Sequence, residues 1–382
     1  MRILAITVME SWGGGEQVLY DIVKSVRDHQ FIVASPNKDF YKRFNDENSK
    51  LVTINSLRKV YTGTHGWNFA SNILIFLRLI IASAKIIPLI KKDPIDFVLA
   101  NGNYAALFAF ALYKIKKKNF IIIQHNILSL TSSEKKIISF LIKYSKKIIC
   151  VSNAVAENIK SITNDNQHDK IVVIYNGIKV PEETLPKSSV KEDITIGIVG
   201  GILRWKGIDN IIKILSPLIL KTDDVFISII GSTTEDPDSV NLLDELKEYI
   251  SQNSLGNKIK FLGSIKSKSE IYSQLNILIN YSRDPEAFSL TVAEAMAHRK
   301  IVIAKNIGGP KELIENEVSG FLCDPDNPEE LQQITEYCVN HIYTNKFQQI
   351  RTIARLRIEN MFSLVIFKER YTKLFEELSN DQ

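Results

Sequence analysis

Cysteine is scarce in this chain: 382 residues hold three, Cys150, Cys323 and Cys338. They are odd in number, far apart and never spaced C-x-x-C. That excludes a disulfide framework, a cysteine zinc site and a dithiol redox centre, and fits a reducing compartment. Internal repeats and low-complexity tracts are lacking, and so is the G-x-G-x-x-G fingerprint of a dinucleotide site. No nucleic-acid motif is present, so no nucleic acid is expected as a partner. The longest greasy segment, residues 69–90, is broken by Arg78 and Lys85 and holds Pro88, and no transmembrane helix is expected from it. The apolar stretch 3–9 is short, meets Glu10 at once and has no small-residue cleavage site. It reads as a first strand and not as a secretory signal.

What remains is an ordinary globular composition, 45% hydrophobic and 24% charged, in a chain long enough for two domains that each bury a core. The formal charge of +5 hides an asymmetry. Residues 1–185 hold 25 Lys and Arg against 15 Asp and Glu, and the remainder 23 against 28, so the two parts carry +10 and −5. Most of the excess lies within residues 58–147, in clusters such as Lys114, Lys116, Lys117 and Lys118 or Lys135, Lys136, Lys143, Lys146 and Lys147. Such a field suits an anionic membrane surface or an acidic glycan; the plainer alternative is a solvated lysine-rich face. Within residues 69–90, Ser71, Arg78 and Lys85 recur seven apart, a polar stripe on an apolar helix. Packing against a sheet is one explanation and partial insertion into a membrane surface the other.

Short β-branched runs alternate with helical patterns. Residues 2–8 precede a helical 15–26, 97–100 precede 105–113, and 148–151 precede 154–162, with 120–124 and 171–175 as further strands. The pattern pauses at 179–193, which holds Pro181, Pro186 and a polar run, and restarts with strands at 194–199, 225–230, 259–262, 277–280 and 301–304. The class is α/β: two doubly wound parallel-sheet domains, 1–178 and 194–362, joined by a linker at 179–193. A last amphipathic pattern sets Phe362, Ile366, Phe367, Tyr371, Leu374, Phe375 and Leu378 on one side. Ligands of such sheets sit beyond the carboxyl ends of the strands, so the residues just after each strand are the candidates for chemistry.

The segment from Arg283 to Ala297 follows a strand and enters a helix. It sets Glu286 in the loop and Glu294 eight positions on, about two turns into the helix. Unpaired amides at Phe288, Ser289 and Leu290 suit a diphosphate, Glu294 the hydroxyls of a ribose and Glu286 those of a sugar. Taken alone, an acid favouring the helix dipole beside an ordinary surface glutamate explains the pair as well. Arg204 and Lys206, in the turn after strand 194–199, could neutralise charge growing on a departing nucleoside diphosphate. Gly13, Gly14 and Gly15 follow the first strand and let backbone approach an anion. His125 and Asn126 follow strand 120–124 on the ligand-facing rim, where His125 is a candidate beside its commoner role as a structural hydrogen-bonder. Asp236-Pro-Asp238 and Asp324-Pro-Asp326 are D-x-D strings, but the central proline makes them turns, and no required metal is expected.

In order along nearly the whole chain, Gly13-Gly14-Gly15-Glu16, Asn101-Gly102, His125, Val151-Ser152, Tyr175-Asn176-Gly177, Lys206-Gly207, the Glu286 and Glu294 pair, Gly308-Gly309 with Glu312, and Gly320-Phe321-Leu322 resemble glycosyltransferase family 4. The resemblance implies the GT-B architecture, two facing Rossmann-like domains with a final helix, 363–382, crossing back to the first. It implies a retaining transferase that takes a sugar from a nucleoside diphosphate sugar, without a cofactor, and passes it to a glycan or lipid-linked acceptor; the basic first part of the chain suggests that this happens at the cytoplasmic surface of the membrane. Glu294 would grip the donor ribose and Glu286 the transferred sugar. Lys206, the amides at Phe288, Ser289 and Leu290, and the loop at Gly14 and Gly15 would hold the diphosphate, while His125 would line the sugar pocket. The chain departs from the family where arginine usually follows the first glycine, here Gly201, and Arg204 is the expected substitute. Ser289 stands where glycine is common. A nucleotide-sugar epimerase of related architecture and a catalytically silent binding protein on the same fold are the competing readings.

Overall fold

The computed structural model describes residues 1–10, 12–58, 69–129, 131–182 and 193–380. Two compact units divide the chain: Met1–Gly177 with Leu364–Gln382, and Ile178–Ser363.

The first unit holds strands β1 (Arg2–Ile6), β2 (Gln30–Ser35), β3 (Ser49–Thr53), β4 (Phe97–Asn101), β5 (Phe120–Gln124), β6 (Lys147–Cys150) and β7 (Ile171–Val173). Between them run helices α1 (Gly14–Ser25), α2 (Lys38–Tyr41), α3 (Phe69–Lys92), α4 (Asn103–Lys116), α5 (Ser132–Tyr144) and α6 (Asn153–Lys160). The strands form one parallel sheet in the order β3-β2-β1-β4-β5-β6-β7. Its central strands read as apolar runs because both faces are covered: every residue of β4 and β5 is buried. Right-handed crossovers put α1 on one face and α3, α4 and α5 on the other, since the strand order runs in opposite directions on the two sides of β1 and β4. The alternation read from sequence omits β2 and β3. β3 is an edge strand with only its first residue buried, so its apolar signal is weak.

The second unit repeats the plan with β8 (Ile194–Val199), α7 (Ile208–Lys221), β9 (Val225–Ile230), α8 (Pro237–Gln252), β10 (Ile259–Gly263), α9 (Lys268–Ser273) and β11 (Ile277–Asn280). There follow α10 (Leu290–Ala297), β12 (Ile301–Lys305), α11 (Pro310–Leu313), β13 (Phe321–Cys323), α12 (Pro328–His341) and α13 (Asn345–Met361). The parallel order is β10-β9-β8-β11-β12-β13. Much of the core is isoleucine on β8, β9, β11 and β12 packed on α7, α8 and α12. Of the expected linker, residues 183–192 lie outside the described residues, and 179–182 belong to the second unit, where the Arg355 guanidinium donates to Pro181 O at 2.7 Å.

The terminal amphipathic pattern is a single helix, with Phe362 in the link that precedes it. α13 ends at Met361, the Ile178 amide donates to Phe362 O at 2.8 Å at the edge of the second unit, and α14 (Leu364–Asn380) then packs beside α1 in the first unit. Phe375 anchors it, fully buried with its ring 5.4 Å from His29, 6.5 Å from Phe31 and 5.5 Å from Phe97.

α3 differs from its expectation. It runs through Pro88 without a break, and Ile73–Lys92 is long and apolar enough to cross a membrane, with mean hydropathy 2.3. Its packed stripe is Ile75, Ala82, Ile86 and Ile90. Of the polar stripe, the Ser71 side chain lies outside the described residues. Phe375→Ala is expected to destabilise the chain by about 3–5 kcal/mol in urea unfolding, as a large buried ring lost from a closed core; a loss below about 1 kcal/mol would mean that α14 is only laid on the surface of the first unit.

Candidate active site

In the second sheet the strand order reverses between β8 and β11, and the residues after these two strands meet. Lys206 lies in the short turn after β8 and Glu286 in the loop after β11. Lys206 Nζ donates to Glu286 Oε1 at 2.6 Å. The same oxygen accepts from Ser282 Oγ at 2.6 Å and from Asn280 Nδ2 at 3.0 Å. Burial pushes the Glu286 carboxyl up, but the Lys206 ammonium and the two other donors outweigh it and hold the group below its ordinary value. Glu286 is therefore an ionised carboxylate in a nearly closed position, 8% exposed at its side chain.

The loop that carries it is clamped from behind. Gly309 N donates to Glu286 O at 2.7 Å, and a Cβ on Gly309 would stand 2.3 Å from Phe288 Cα. Gly308 has φ +64°, and a Cβ there would stand 2.4 Å from Glu286 O. Glycine is what lets the two loops touch.

Glu294 lies just over one turn into α10, not two, because the helix starts only at Leu290. Ser289 caps it in the left-handed region, φ +72°, with no side-chain capping bond, so the segment before it cannot be helical. Phe288 and Ser289 are buried and Leu290 half-buried at this uncapped helix start. The Glu294 carboxylate accepts at Oε2 from Tyr272 Oη at 2.9 Å and pairs there with Lys268 Nζ at 2.9 Å. Burial and the adjoining carboxylate push the Tyr272 phenol well above its usual value, so it remains a donor.

Arg204 does not join this group. Its guanidinium donates to Asp238 Oδ1 at 2.7 Å and in fork geometry to Glu245 at 2.6 and 2.9 Å, so the charge expected to replace one missing at Gly201 is matched by two surface carboxylates. Asp238 belongs to the first D-x-D string, whose Asp236 caps α8. Asp324 accepts from the Asp326 amide at 2.9 Å in a turn. Among the described residues no group of three His, Cys, Asp or Glu could hold a metal ion.

The first sheet has its own reversal, between β1 and β4. Here Asn101, the last residue of β4, joins two candidates, His125 and Gly15. Its Oδ1 lies 2.7 Å from His125 Nε2, and its Nδ2 makes long contacts of 3.4 Å to Gly15 O and to Glu16 Oε1. With the amide nitrogen facing Gly15, the oxygen faces the ring, so His125 Nε2 carries the proton and Nδ1 does not. Burial pushes His125 down to about 4, which leaves it neutral. Gly14 and Gly15 open α1 without a side-chain cap, and a Cβ on Gly15 would stand 3.2 Å from the His125 ring. Glu16, on the first turn, is buried, and burial pushes its carboxyl up.

The structure thus brings Lys206 to Glu286, sets His125 against Gly15, and sends Arg204 elsewhere. Asn101, Glu16, Asn280, Ser282, Lys268 and Tyr272 were not among the sequence candidates for chemistry. Asn101, Asn280 and Ser282 end or follow strands, so the carboxyl-end rule could have found them. Tyr272 and Lys268 lie on α9, ahead of a strand, and carry no such signal.

Two measurements test these assignments. Ser289→Gly is expected to raise stability by about 1 kcal/mol, by relieving a left-handed serine; a fall would mean that the serine hydroxyl matters more than its backbone. For His125, the unfolded chain takes up a proton below about pH 6.5 that the folded chain refuses until about pH 4. The group's contribution is full above pH 6.5 and is lost as pH falls toward 4. Between pH 7 and 5 the parent should lose up to about 2 kcal/mol more than His125→Gln in urea titrations, and equal losses would contradict a neutral, half-buried ring.

Residues 12–181 match the sequence model of Glycosyltransferase Family 4, and residues 181–348 that of Glycosyl transferases group 1. A glycosyltransferase of Haemophilus influenzae is 26% identical over 345 residues, which are 87% of this chain and 88% of the relative. A glycosyltransferase structure from Rickettsia africae is 26% identical, with a TM-score of 0.80 over 100% of this chain and 99% of its own. Anabaena HepE, solved in complex with UDP-glucose, is 22% identical, with a TM-score of 0.80 over 99% of this chain and 100% of its own. With both halves of the chain matched, and two parallel-sheet Rossmann-like units each carrying its candidates at the reversal of strand order, the chain belongs to glycosyltransferase family 4 and is a glycosyltransferase of GT-B type.

Proposed function

We propose that this glycosyltransferase is a retaining hexosyltransferase. It takes a sugar from a nucleoside diphosphate sugar and passes it to a glycan or lipid-linked acceptor, on the cytoplasmic side of a membrane, in the synthesis of a cell-surface polysaccharide or glycolipid. The observation that carries the reading is the fixed pair of carboxylates on the second unit: Glu286, ionised against Lys206, and Glu294, steadied by Tyr272 and Lys268. The UDP-glucose bound by Anabaena HepE makes a uridine diphosphate sugar the first donor to try.

In this reading the second unit holds the donor. Glu294 accepts from the ribose hydroxyls through Oε1, since Tyr272 and Lys268 occupy Oε2. Lys206 spends one of its three protons on Glu286 and turns the others to the diphosphate, together with the amides at Phe288, Ser289 and Leu290. Glu286 orients the sugar through its hydroxyls. The acceptor oxygen bonds to the anomeric carbon on the face from which the diphosphate departs, the carbon–oxygen bond to phosphate breaks, and the acceptor proton passes to that phosphate oxygen. The charge growing on the leaving group falls on Lys206 and the helix amides, so a divalent cation is not required. On the first unit, neutral His125 offers Nδ1 as an acceptor to the sugar or acceptor, and Asn101 fixes that tautomer.

The test is binding of UDP, GDP and ADP to the purified protein in EDTA, with Glu294→Ala and Arg204→Ala beside the parent. One nucleotide, UDP first, is expected to bind. Glu294→Ala should weaken it about 10- to 100-fold, as two bonds to a charged group are lost, and Arg204→Ala should leave it unchanged. Binding of none of the three would overturn the donor reading.

A further inference from the structure

α3 has an apolar face that the described residues of the first unit do not cover. While Ile75, Ala82, Ile86 and Ile90 pack inward, Ile73, Leu74, Phe76, Leu77, Ile80 and Ile81 are 40–62% exposed and follow one another along the outer side. One helix thus carries two apolar stripes, and packing explains only the inner one. Six large side chains in an unbroken strip are more than a soluble surface normally leaves in water. Arg78, Lys85 and Lys92 recur every seven residues along one border of that strip, Arg78 with its guanidinium donating to Arg58 O at 2.8 Å, and residues 69–92 hold no acid.

We propose that α3 is an interfacial helix that lies flat in the surface of an anionic bilayer, its outer stripe sunk to the level of the acyl boundary and its basic border among the headgroups. Charge complementarity selects this occupant. α3 and α4 touch and run in the same direction across one face of the parallel sheet, so their carboxyl ends fall together. Lys91 and Lys92 thus end on the same side of the sheet as the run Lys114, Lys116, Lys117 and Lys118, of which Lys118 donates to Ile95 O at 2.7 Å, in a part of the chain that carries +10. Each such residue adds about 1 kcal/mol at an anionic surface. The long stems of Lys85 and Lys92 lie along the apolar strip while their ammonium groups reach the phosphates. A second copy fits worse: paired antiparallel about a two-fold axis perpendicular to α3, the same basic borders would come together with no acid on the helix to meet them. A membrane span fits worse still. The inner stripe is part of the core, and α3 joins two strands of one sheet, so the chain must return to the side it left.

This inference gives the acceptor reading above its location, and it rests on that reading only for its meaning, since the surface belongs to the first unit alone. Leu77→Gln, Ile80→Gln and Ile81→Gln in one variant leave the inner stripe intact and should fold as the parent, by circular dichroism and nucleotide binding. In co-sedimentation, the parent is expected to bind vesicles of phosphatidylcholine with 30% phosphatidylglycerol at least ~10-fold more tightly than vesicles of phosphatidylcholine alone. The triple variant should lose at least ~10-fold on the anionic vesicles. Lys91→Gln with Lys92→Gln should lose less, and its remaining binding should respond less to salt. Equal binding by parent and triple variant overturns the proposal. So does a parent that ignores vesicles, or a parent dimer that the triple variant converts to monomer without any change on vesicles. Nucleotide binding lost with vesicle binding kept would instead remove the donor reading and leave this one standing.

Discussion

An ionised carboxylate in a nearly closed position is costly unless cations and donors meet it, and Glu286 has been given all of them on one oxygen. Much of the second unit is arranged around that requirement. β11 ends in Asn280 so that its amide reaches the carboxylate, and Ser282 follows two residues later. The turn after β8 delivers Lys206 from eighty positions away. Gly308 and Gly309 press against the loop from behind, with no room for a side chain between the backbones. Removing any one of these would leave either a buried charge without its partner or a loop free to move, so the group stands or falls as a set.

The first unit solves a gentler problem. Its central polar group is the Asn101 amide, neutral and able to donate and accept at once, and it ties the glycine turn to the ring of His125. Because the amide fixes the imidazole as a donor at one nitrogen, the other is left as an acceptor. Burial keeps the ring uncharged. A cation is thus provided on the second unit, at Lys206, and withheld on the first, at His125.

The same first sheet explains why α3 has two faces. A crossover between β3 and β4 must pass over the sheet, and its inner side is buried whatever the function. Nothing in that geometry requires the outer side to be apolar. An amphipathic helix with a polar outer side would have served the fold as well, so the second stripe answers a demand from outside the sheet.

Local pattern was enough to read the class of the fold. β-branched runs separated by helical periodicity, with a pause near residue 180, announce two parallel sheets. The rule that ligands sit after strands picked out Lys206, Glu286 and His125. Glu294 was legible by its distance from Glu286, although the left-handed Ser289 shortens the helix before it. What local pattern does not carry is who meets whom. The Lys206 bond to Glu286, the Asn101 bridge and the Tyr272 support of Glu294 depend on strand order and register, which bring together residues tens of positions apart. Arg204 shows the converse: its place after a strand promised a ligand, but α8 puts two carboxylates within its reach and takes the charge. The apolarity of α3 was plain in the sequence. Which of its two sides the core would claim was decided only by the packing of α3 against α4 and the sheet, because a side chain's exposure is a property of its neighbours and not of itself.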